Sequence, residues 1–334
     1  MKVWQIQSPG GFDNLALVDR DEPELGPGQV RLHMRAWSLN YRDLLIIKNP
    51  PSSRPSLIPL SDGVGEVVAV GDGVTQVKVG DRVATTFFQN WVDGPISGAV
   101  HPSALGGAID GVLAESVVLS ESGVVLVPDH LSDEEAATLP CAGLTAWNAV
   151  VSDGQLKAGD TILLQGTGGV SIFALQFAQM LGVRAIATSS SNDKLDRVLA
   201  MGAAYGINYK TEPEWDVAVW KLTHEQGVDR VIEVGGGRTF NQSLRAARYG
   251  GQVSVIGVLT GFGGDVSTVT ISQKGLRVEG FYVGSRAMFE QMNQAIARHA
   301  IRPVIDSVFP FEQAVSALRY METGAHFGKV VIRR

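Results

Sequence analysis

The chain has 334 residues, a length that suits two domains, each large enough to bury its own core. Its formal net charge of −6 argues against a nucleic-acid partner, because neutralising phosphates requires a basic face. No apolar run is long enough to cross a bilayer, and the single cysteine, Cys141, excludes an intrachain disulfide framework. We therefore expect a cytoplasmic protein that acts on a small-molecule substrate, with no nucleic-acid and no membrane partner.

In chain order, the first third is dense in short β-type runs that glycine turns separate. The clearest runs are QVRLHMRAW (29–37), GEVVAV (65–70) and DRVATT (81–86), and Asp72-Gly73 is a turn signal. Further runs of the same kind continue to Pro128. Such a series predicts an antiparallel, barrel-like domain.

From residue 129 the pattern changes to a helical segment that Ser132 is able to cap, and from residue 160 strands and helices alternate. The alternation predicts βαβ units and a parallel sheet, whose last strand is expected at 276–284. Helices are expected near 287–299 and 311–323, followed by the strand KVVIRR. Because that last strand can return to the first domain, the parallel-sheet domain is interpreted as an insertion.

A glycine-rich loop, Gly166-Thr167-Gly168-Gly169-Val170-Ser171, follows a predicted strand and opens a predicted helix, which is the context of a dinucleotide-binding fingerprint. Gly166 suits the tight turn, and Gly168 lets the backbone approach a pyrophosphate. Ser171 stands where the fingerprint has a third glycine, but that position requires only a small side chain. Its hydroxyl is a further candidate donor to a phosphate. The alternative is a glycine-rich turn that binds no ligand.

The end of the next predicted strand indicates which dinucleotide is bound. An NAD site has an acidic residue there, whereas this chain has serines at 189–191, and Asp193 looks like a helix cap. Lys194 lies in the first turn of the following helix, where the helix dipole disfavours a cation. A 2′-phosphate would resolve that conflict, so NADPH is favoured over NADH. The alternative is that Lys194 is a solvated surface lysine.

At this point the chain resembles the medium-chain dehydrogenase/reductase superfamily, within its zinc-independent branch of quinone oxidoreductases and alcohol dehydrogenase-like proteins. The resemblance implies an α/β fold in which a GroES-like β-barrel catalytic domain (1–127 and 285–334) contains an inserted Rossmann domain (128–284) with a doubly wound parallel sheet. The stretches that carry it are SLNYRDLL (38–45), PLSDGVGEVVAVGDGVTQVKVGDRV (59–83), LPCAGLTAWNAV (139–150), the glycine loop, SSSNDKLDRVLAMGA (189–203), INYKTE (207–212) and HFGKVVI (326–332).

The same resemblance implies roles for single residues. Positions matching Ser190, Lys194 and Tyr209 surround the 2′-phosphate in the NADPH-using members. The positions that match residues lining the nicotinamide are Thr145, the segment from Ile256 to Val258, and the segment from Phe281 to Val283. Members commonly pair through an edge strand of the Rossmann domain, so a homodimer through the strand near 276–284 is expected.

The resemblance also bears on whether this chain carries the ligands for a catalytic zinc ion. In zinc-dependent relatives the catalytic zinc is held by a cysteine, a histidine and a second cysteine, and these places fall on Asn40, Ser61 and Cys141 here. Asparagine and serine are poor zinc ligands, and one thiolate does not hold the ion. Cys141 is interpreted as a small buried residue. No metal site and no zinc are expected.

Without a Lewis acid, alcohol oxidation loses its main means of activation, whereas a quinone or an enone is already polarised. Asn40 and Tyr41 are the candidate catalytic residues: the Asn40 amide and the Tyr41 hydroxyl are placed to reach the acceptor oxygen or the nicotinamide ribose. The Tyr41 hydroxyl is also a candidate proton relay. Tyr41 is alternatively a core aromatic residue. The sequence thus predicts an NADPH-dependent reductase of quinones, enones or related carbonyls. The alternatives are an alcohol dehydrogenase-like enzyme on another substrate and an NADPH-binding protein with little catalysis.

Overall fold

The computed structural model describes residues 1–153 and 155–334. The chain divides into two units: unit 1 comprises Met1–Leu144 and Val283–Arg334, and unit 2 comprises Thr145–Tyr282. The first boundary lies after residue 144, whereas the sequence suggested residue 127. Segment 128–144 belongs with unit 1 because its backbone is bound there: Arg82 donates to the Leu131 carbonyl at 2.7 Å, and the Cys141 amide donates to Asp62 at 3.0 Å.

The helices and strands follow one another along the described residues. Those before the boundary are β1 (Lys2–Ile6), β2 (Leu15–Asp19), β3 (Gln29–Ser38), α1 (Tyr41–Lys48), β4 (Asp62–Val70), β5 (Arg82–Thr85), β6 (Ser116–Ser120), β7 (Val124–Leu126), α2 (Asp133–Ala136) and α3 (Leu144–Trp147), which spans it. Those of unit 2 are β8 (Thr161–Gln165), α4 (Gly169–Met180), β9 (Arg184–Ser189), α5 (Asn192–Ala200), β10 (Tyr205–Asn208), α6 (Trp215–Leu222), β11 (Val228–Glu233), α7 (Phe240–Ala246), β12 (Ala247–Val255), α8 (Thr268–Lys274) and β13 (Arg277–Gly280). The last are α9 (Arg286–His299), β14 (Ile305–Pro310), α10 (Ala314–Glu322) and β15 (Lys329–Arg333).

Unit 1 is built on a mainly antiparallel sheet of order β14-β15-β3-β4-β5-β7, with β6 also paired to β3. Strand β15 runs antiparallel to β3 in the register Val331 to Ser38, so the C-terminal strand returns to the N-terminal region as expected. The core of the unit joins the two ends of the chain as well, since the rings of Trp37 and Phe311 lie 4.8 Å apart. This pairing brings residues from the end of the chain beside those that follow β3.

Unit 2 contains a six-stranded sheet of order β10-β9-β8-β11-β12-β13, in which every pairing is parallel. The apolar runs of the central strands are fully buried, as is usual where helices cover both faces of a sheet. This is the doubly wound order, and its direction reverses between β8 and β11. Ligands of such sheets bind at the carboxyl ends of the strands around that point.

Two expected elements differ in the structure. The helix expected from residue 129 is divided into α2, α3 and two π-helical segments, Leu139–Gly143 and Asn148–Ser152, and Pro140, which lacks an N–H, lies at the first of them. The strand expected at 276–284 is only β13, and shortly beyond it Val283 has a φ of 58°, which a strand does not accommodate. Elements β2, α1, β10, α6, α8 and β14 were not predicted from the sequence. Among the described residues, no helix is both long and apolar enough to cross a membrane.

Candidate functional site

The glycine loop connects β8 to α4 at the carboxyl edge of the unit 2 sheet. Gly166 has a φ of 69°, a conformation that favours glycine, and Gly168 is the residue at the N-terminal cap of α4. A Cβ atom added at Gly166 or at Gly168 would meet no protein atom within 4 Å. The backbone of the loop therefore faces open space, and the N-terminus of a 12-residue helix that begins with Gly169 and Val170 lies beside it.

Ser171 has a structural role that the sequence did not reveal. Its side chain is buried, and its hydroxyl donates a 2.7 Å hydrogen bond to the backbone carbonyl of Gln165, the last residue of β8. The serine thus ties the first turn of α4 to the strand and occupies little space. The hydroxyl is directed to the protein backbone and not toward a phosphate, which differs from the role suggested for it above.

The three residues assigned to the 2′-phosphate lie at the ends of the two neighbouring strands. Ser190 follows β9, and Lys194 lies in the first turn of α5. Tyr209 follows β10, is 42% exposed, and donates its backbone N–H to Ser189 at 3.0 Å. Ser191 caps α5, since its hydroxyl accepts from the Lys194 amide at 3.4 Å. Asp193, which looked like a helix cap, is instead inside the first turn.

On the other side of the glycine loop, a buried network that sequence reasoning missed fixes the segment after β11. Glu233 is fully buried and accepts hydrogen bonds from four groups: the side chains of Gln165, Ser243 and Thr239 and the backbone of Gly236. The side-chain oxygen of Gln165, Oε1, in turn accepts from the backbone amides of residues 234 and 235. The loops after β8 and β11 are therefore locked together; the only sequence signal was a charged residue at the end of an apolar strand.

The remaining coenzyme candidates are distributed over both units. Ile256 follows β12 and donates its amide to the Glu233 carbonyl at 2.9 Å, and Val258 lies two residues beyond. Thr145, in α3, is buried, and so is Phe281, which follows β13. Val283 belongs to unit 1 and is buried with a positive φ, which is strained for a β-branched residue and recurs at functional sites.

A dinucleotide coenzyme fits unit 2. The open space beside two glycines, the helix N-terminus and the adjoining strand ends supply the contacts that a pyrophosphate and a ribose require. The structure thus brings ten of the sequence-predicted residues to one edge of one sheet, which are Gly166, Gly168, Gly169, Val170, Ser171, Ser190, Lys194, Tyr209, Ile256 and Val258.

In unit 1, the two catalytic candidates begin α1. Asn40 is 7% exposed, and its backbone N–H donates to the Asp43 carboxylate at 2.8 Å. Its side-chain oxygen accepts from Lys329 at 2.6 Å. The amide nitrogen is buried and faces Asp62 without completing a hydrogen bond of normal geometry. Tyr41 is 41% exposed, so it is not the core aromatic residue of the alternative interpretation.

Asn40 belongs to a cluster of buried ionisable groups. Asp62, also fully buried, accepts from the Ser61 hydroxyl at 2.7 Å and from the Cys141 amide at 3.0 Å. Burial raises the pKa of Asp62, and the nearby ammonium of Lys329 opposes this effect. Burial likewise raises the pKa of the Cys141 thiol, although Cys141 as a residue is partly exposed and not buried as expected. The thiol therefore stays protonated at neutral pH.

This cluster does not suit a catalytic zinc ion. The positions that matched zinc ligands carry an amide, a hydroxyl and only one thiol, and a lysine ammonium contacts the amide. Within residues 1–153 and 155–334, no group of three or more histidine, cysteine or acidic side chains is arranged to hold a metal ion. Sequence reasoning missed Lys329, whose only signal was a lysine at the start of an otherwise apolar C-terminal strand.

Comparisons with known proteins agree with this fold. Residues 26–129 match the family model of the alcohol dehydrogenase GroES-like domain, and residues 169–298 match that of the zinc-binding dehydrogenases. A zinc-type alcohol dehydrogenase-like protein of Schizosaccharomyces pombe is 41% identical over 97% of this chain and 96% of its own length. A solved candidate alcohol dehydrogenase of Sinorhizobium meliloti is 42% identical, with a TM-score of 0.93, over 100% of this chain and 98% of that one. The quinone oxidoreductase of Pseudomonas syringae is 27% identical, with a TM-score of 0.85, over 100% and 99%.

The chain therefore belongs to the medium-chain dehydrogenase/reductase superfamily, as its sequence motifs predicted. Unit 1 is its GroES-like part and unit 2 its Rossmann-like part. The relatives include alcohol dehydrogenases, one of them described as NAD-dependent, and quinone oxidoreductases. The protein is an NAD(P)-dependent oxidoreductase of this superfamily.

Proposed function

We propose that this protein is an NADPH-dependent, zinc-independent reductase of quinones, enones or related activated carbonyls. The observation that carries the proposal is the composition of the buried cluster in unit 1. Amide, hydroxyl and ammonium groups occur where a zinc-dependent enzyme needs thiolate and imidazole. Such a cluster does not activate an alcohol, whereas a polarised acceptor needs only hydrogen-bond donors for the charge that develops on its oxygen.

The coenzyme preference is argued from the end of β9. Serines at 189–191 stand where an NAD site has its acidic residue. Lys194 lies in the first turn of α5, where the helix dipole disfavours its charge. A bound 2′-phosphate offsets that cost, and the hydroxyls of Ser190 and Tyr209 are candidate donors to it. NADPH is therefore the proposed coenzyme.

When bound, the coenzyme supplies the hydride. The roles of this chain's residues follow from their exposure. Tyr41 has an accessible side chain at the N-terminus of α1, so its hydroxyl is the proposed donor to the acceptor oxygen. Asn40 is turned inward toward Lys329 and Asp62, so its proposed role is to hold the start of α1, beside Tyr41, in place.

The activity is tested by following NADPH oxidation with a panel of quinones, enals and enones, with and without a chelator. We expect turnover that the chelator leaves unchanged. Elemental analysis of the same active protein should find less than about 0.1 zinc ion per chain. Loss of activity on chelation refutes the zinc-independent mechanism. Activity restricted to alcohols favours the alcohol dehydrogenase-like alternative, which the names of several relatives suggest. Tight NADPH binding without turnover favours the nucleotide-binding protein.

The coenzyme preference has its own test in Lys194→Glu. Reversing the charge should raise the Kd for NADPH at least about tenfold and leave that for NADH within about twofold, because only NADPH carries the 2′-phosphate. Lys157→Glu, an exposed lysine of the same unit, is the matched control and should leave both constants unchanged. Undiminished NADPH affinity in Lys194→Glu would show that Lys194 is merely a surface lysine.

A further inference from the structure

Lys329 is a buried lysine at the first position of β15, with only 4% of the residue exposed. Its ammonium donates to the backbone carbonyl of Leu39 and, at 2.6 Å, to the side-chain oxygen of Asn40. Burying an ammonium group is costly unless the charge is hydrogen-bonded and compensated. An apolar residue would be the ordinary choice at this position, so the lysine calls for a physical explanation.

The compensation comes from acidic groups packed around it. Asp62 and Asp43 are both fully buried and lie close enough for the ammonium to lower the pKa of each carboxyl. Arg42 is the other cation facing the cluster, 3.8 Å from Asp43, and its guanidinium is also held by a backbone carbonyl at residue 105. Cys141 is the remaining titratable group, and the charge of Lys329 acts on its thiol too.

Lys329 thus lies among the positions that matched the zinc ligands of metal-dependent relatives. It contacts Asn40 directly, and it acts electrostatically on Cys141 and on Asp62, the neighbour of Ser61. We propose that the Lys329 ammonium is the resident cation of this site: it takes the charge-balancing place of a metal ion, excludes one, and as a positioning residue fixes Asn40 and the start of α1. The catalytic part of this proposal rests on the proposed function.

A competing explanation is that the lysine only stabilises the fold through its ion pairs. The two explanations differ in what the charge does beyond folding. A purely structural lysine would affect the free energy of unfolding and leave kcat unchanged in folded protein. A positioning cation would affect kcat while the coenzyme affinity of unit 2 stays the same. It would also control whether this cluster accepts a divalent metal.

The kinetic test compares Lys329→Met, which is similar in shape and uncharged, with Lys329→Arg, which keeps the charge. With the acceptor that the wild type reduces, we expect kcat to fall at least about 100-fold in Lys329→Met and to recover at least about tenfold in Lys329→Arg. The Kd for NADPH, measured by fluorescence, should stay within about twofold in both. Lys274→Met is the matched control, because Lys274 is also buried and donates to backbone carbonyls, but in unit 2. It should lose stability and keep kcat within about threefold. Wild-type kcat in Lys329→Met would overturn the positioning role.

Lys329→Met leaves the buried charge of Asp62 without its compensating cation. A second variant therefore covers the case in which Lys329→Met fails to fold. The double variant Lys329→Met/Asp62→Asn removes both charges and leaves no unpaired buried ion between them. We expect it to fold, to bind NADPH like the wild type and to turn over at least about 100-fold more slowly. Turnover at the wild-type rate would overturn the proposal.

A metal measurement tests the exclusion without any need for activity. Asn40→Cys/Ser61→His supplies, together with Cys141, the thiolate and imidazole donors that zinc prefers. With Lys329 intact, zinc per chain after dialysis against the ion should remain well below one. Adding Lys329→Met should raise it toward one. Equal zinc content in the two proteins, whether high or absent, would overturn Lys329 as the excluding cation. If the wild type reduces no acceptor, the proposed function fails, and this measurement still decides the exclusion.

Discussion

Asp43 offers a direct test of the buried charge cluster through the pH dependence of stability. Burial raises the pKa of its carboxyl from 3.8 to about 6, Arg42 and Lys329 oppose this, and the like charge of Asp62 adds to it. The perturbation is Asp43→Asn, which keeps an oxygen able to accept the hydrogen bond from the Asn40 amide and removes the ionisation.

The magnitude follows from the difference between the two pKa values. A carboxyl whose pKa is higher in the folded than in the unfolded state stabilises the fold fully below pH 3.8, and that contribution is lost as the pH rises to about 6. At 1.36 kcal/mol for each pKa unit, the loss is about 3 kcal/mol. Asp43→Asn does not undergo this loss. Part of this loss already lies below pH 4, so the variant's free energy of unfolding should rise relative to that of the wild type by about 2–2.5 kcal/mol between pH 4 and pH 7.

The assay is urea unfolding of both proteins at half-unit intervals from pH 4 to pH 7.5, compared as a difference at each pH. Asp93→Asn, an exposed aspartate of the same unit, is the control and should give a flat difference. A difference between Asp43→Asn and the wild type that stays constant over this range would refute the reasoning. It would mean that the carboxylate is ionised in the folded state well below pH 6.

Three further predictions concern other parts of the chain. Ser171→Ala should lower the free energy of unfolding, measured with urea, by about 1 kcal/mol because the hydrogen bond to Gln165 is lost, and the Kd for NADPH should stay within about threefold of the wild-type value. A Kd about tenfold weaker would show that the hydroxyl binds phosphate instead. Glu233→Gln should lower the free energy of unfolding by about 2–4 kcal/mol, because its new NH2 group faces hydrogen-bond donors at either oxygen position, and it should weaken NADPH binding. An unchanged free energy of unfolding would contradict the network. We also propose pairing of two copies through the exposed edge strand β13. In that case Val278→Lys should shift the mass measured by light scattering toward the monomer, while Val308→Lys on edge strand β14 should not, and equal masses would contradict the pairing.

Much of the coenzyme region was predictable because its signals are local. An apolar strand, the glycines that follow it and the helix that begins directly after them all lie within a few residues of one another. The parallel sheet followed from the alternation of strands and helices, and the sequence motifs identified the superfamily. Ser190, Lys194 and Tyr209 lie at neighbouring strand ends because parallel strands bring their carboxyl ends to one edge.

The roles of individual side chains were less predictable. Ser171 was interpreted as a small residue beside a phosphate, and its hydroxyl turned out to bond a backbone carbonyl six positions earlier. Asn40 was expected to reach the acceptor oxygen or the nicotinamide ribose, whereas its amide is directed into the protein. In both cases the residue type and its place in the chain were informative. The direction of the polar atom depended on which partner the fold supplied.

The sequence by itself determined the two-part α/β architecture, the superfamily and the position of the coenzyme loop, because periodicity and glycine turns act over short stretches of chain. Only the tertiary structure decided that Lys329 lies against Asn40, 289 residues earlier in the chain. That contact exists because β15 pairs with β3, and strand pairing between distant segments depends on the whole fold and leaves no local pattern. The balance of charge in the unit 1 cluster, and with it the chemistry proposed there, is set by that pairing.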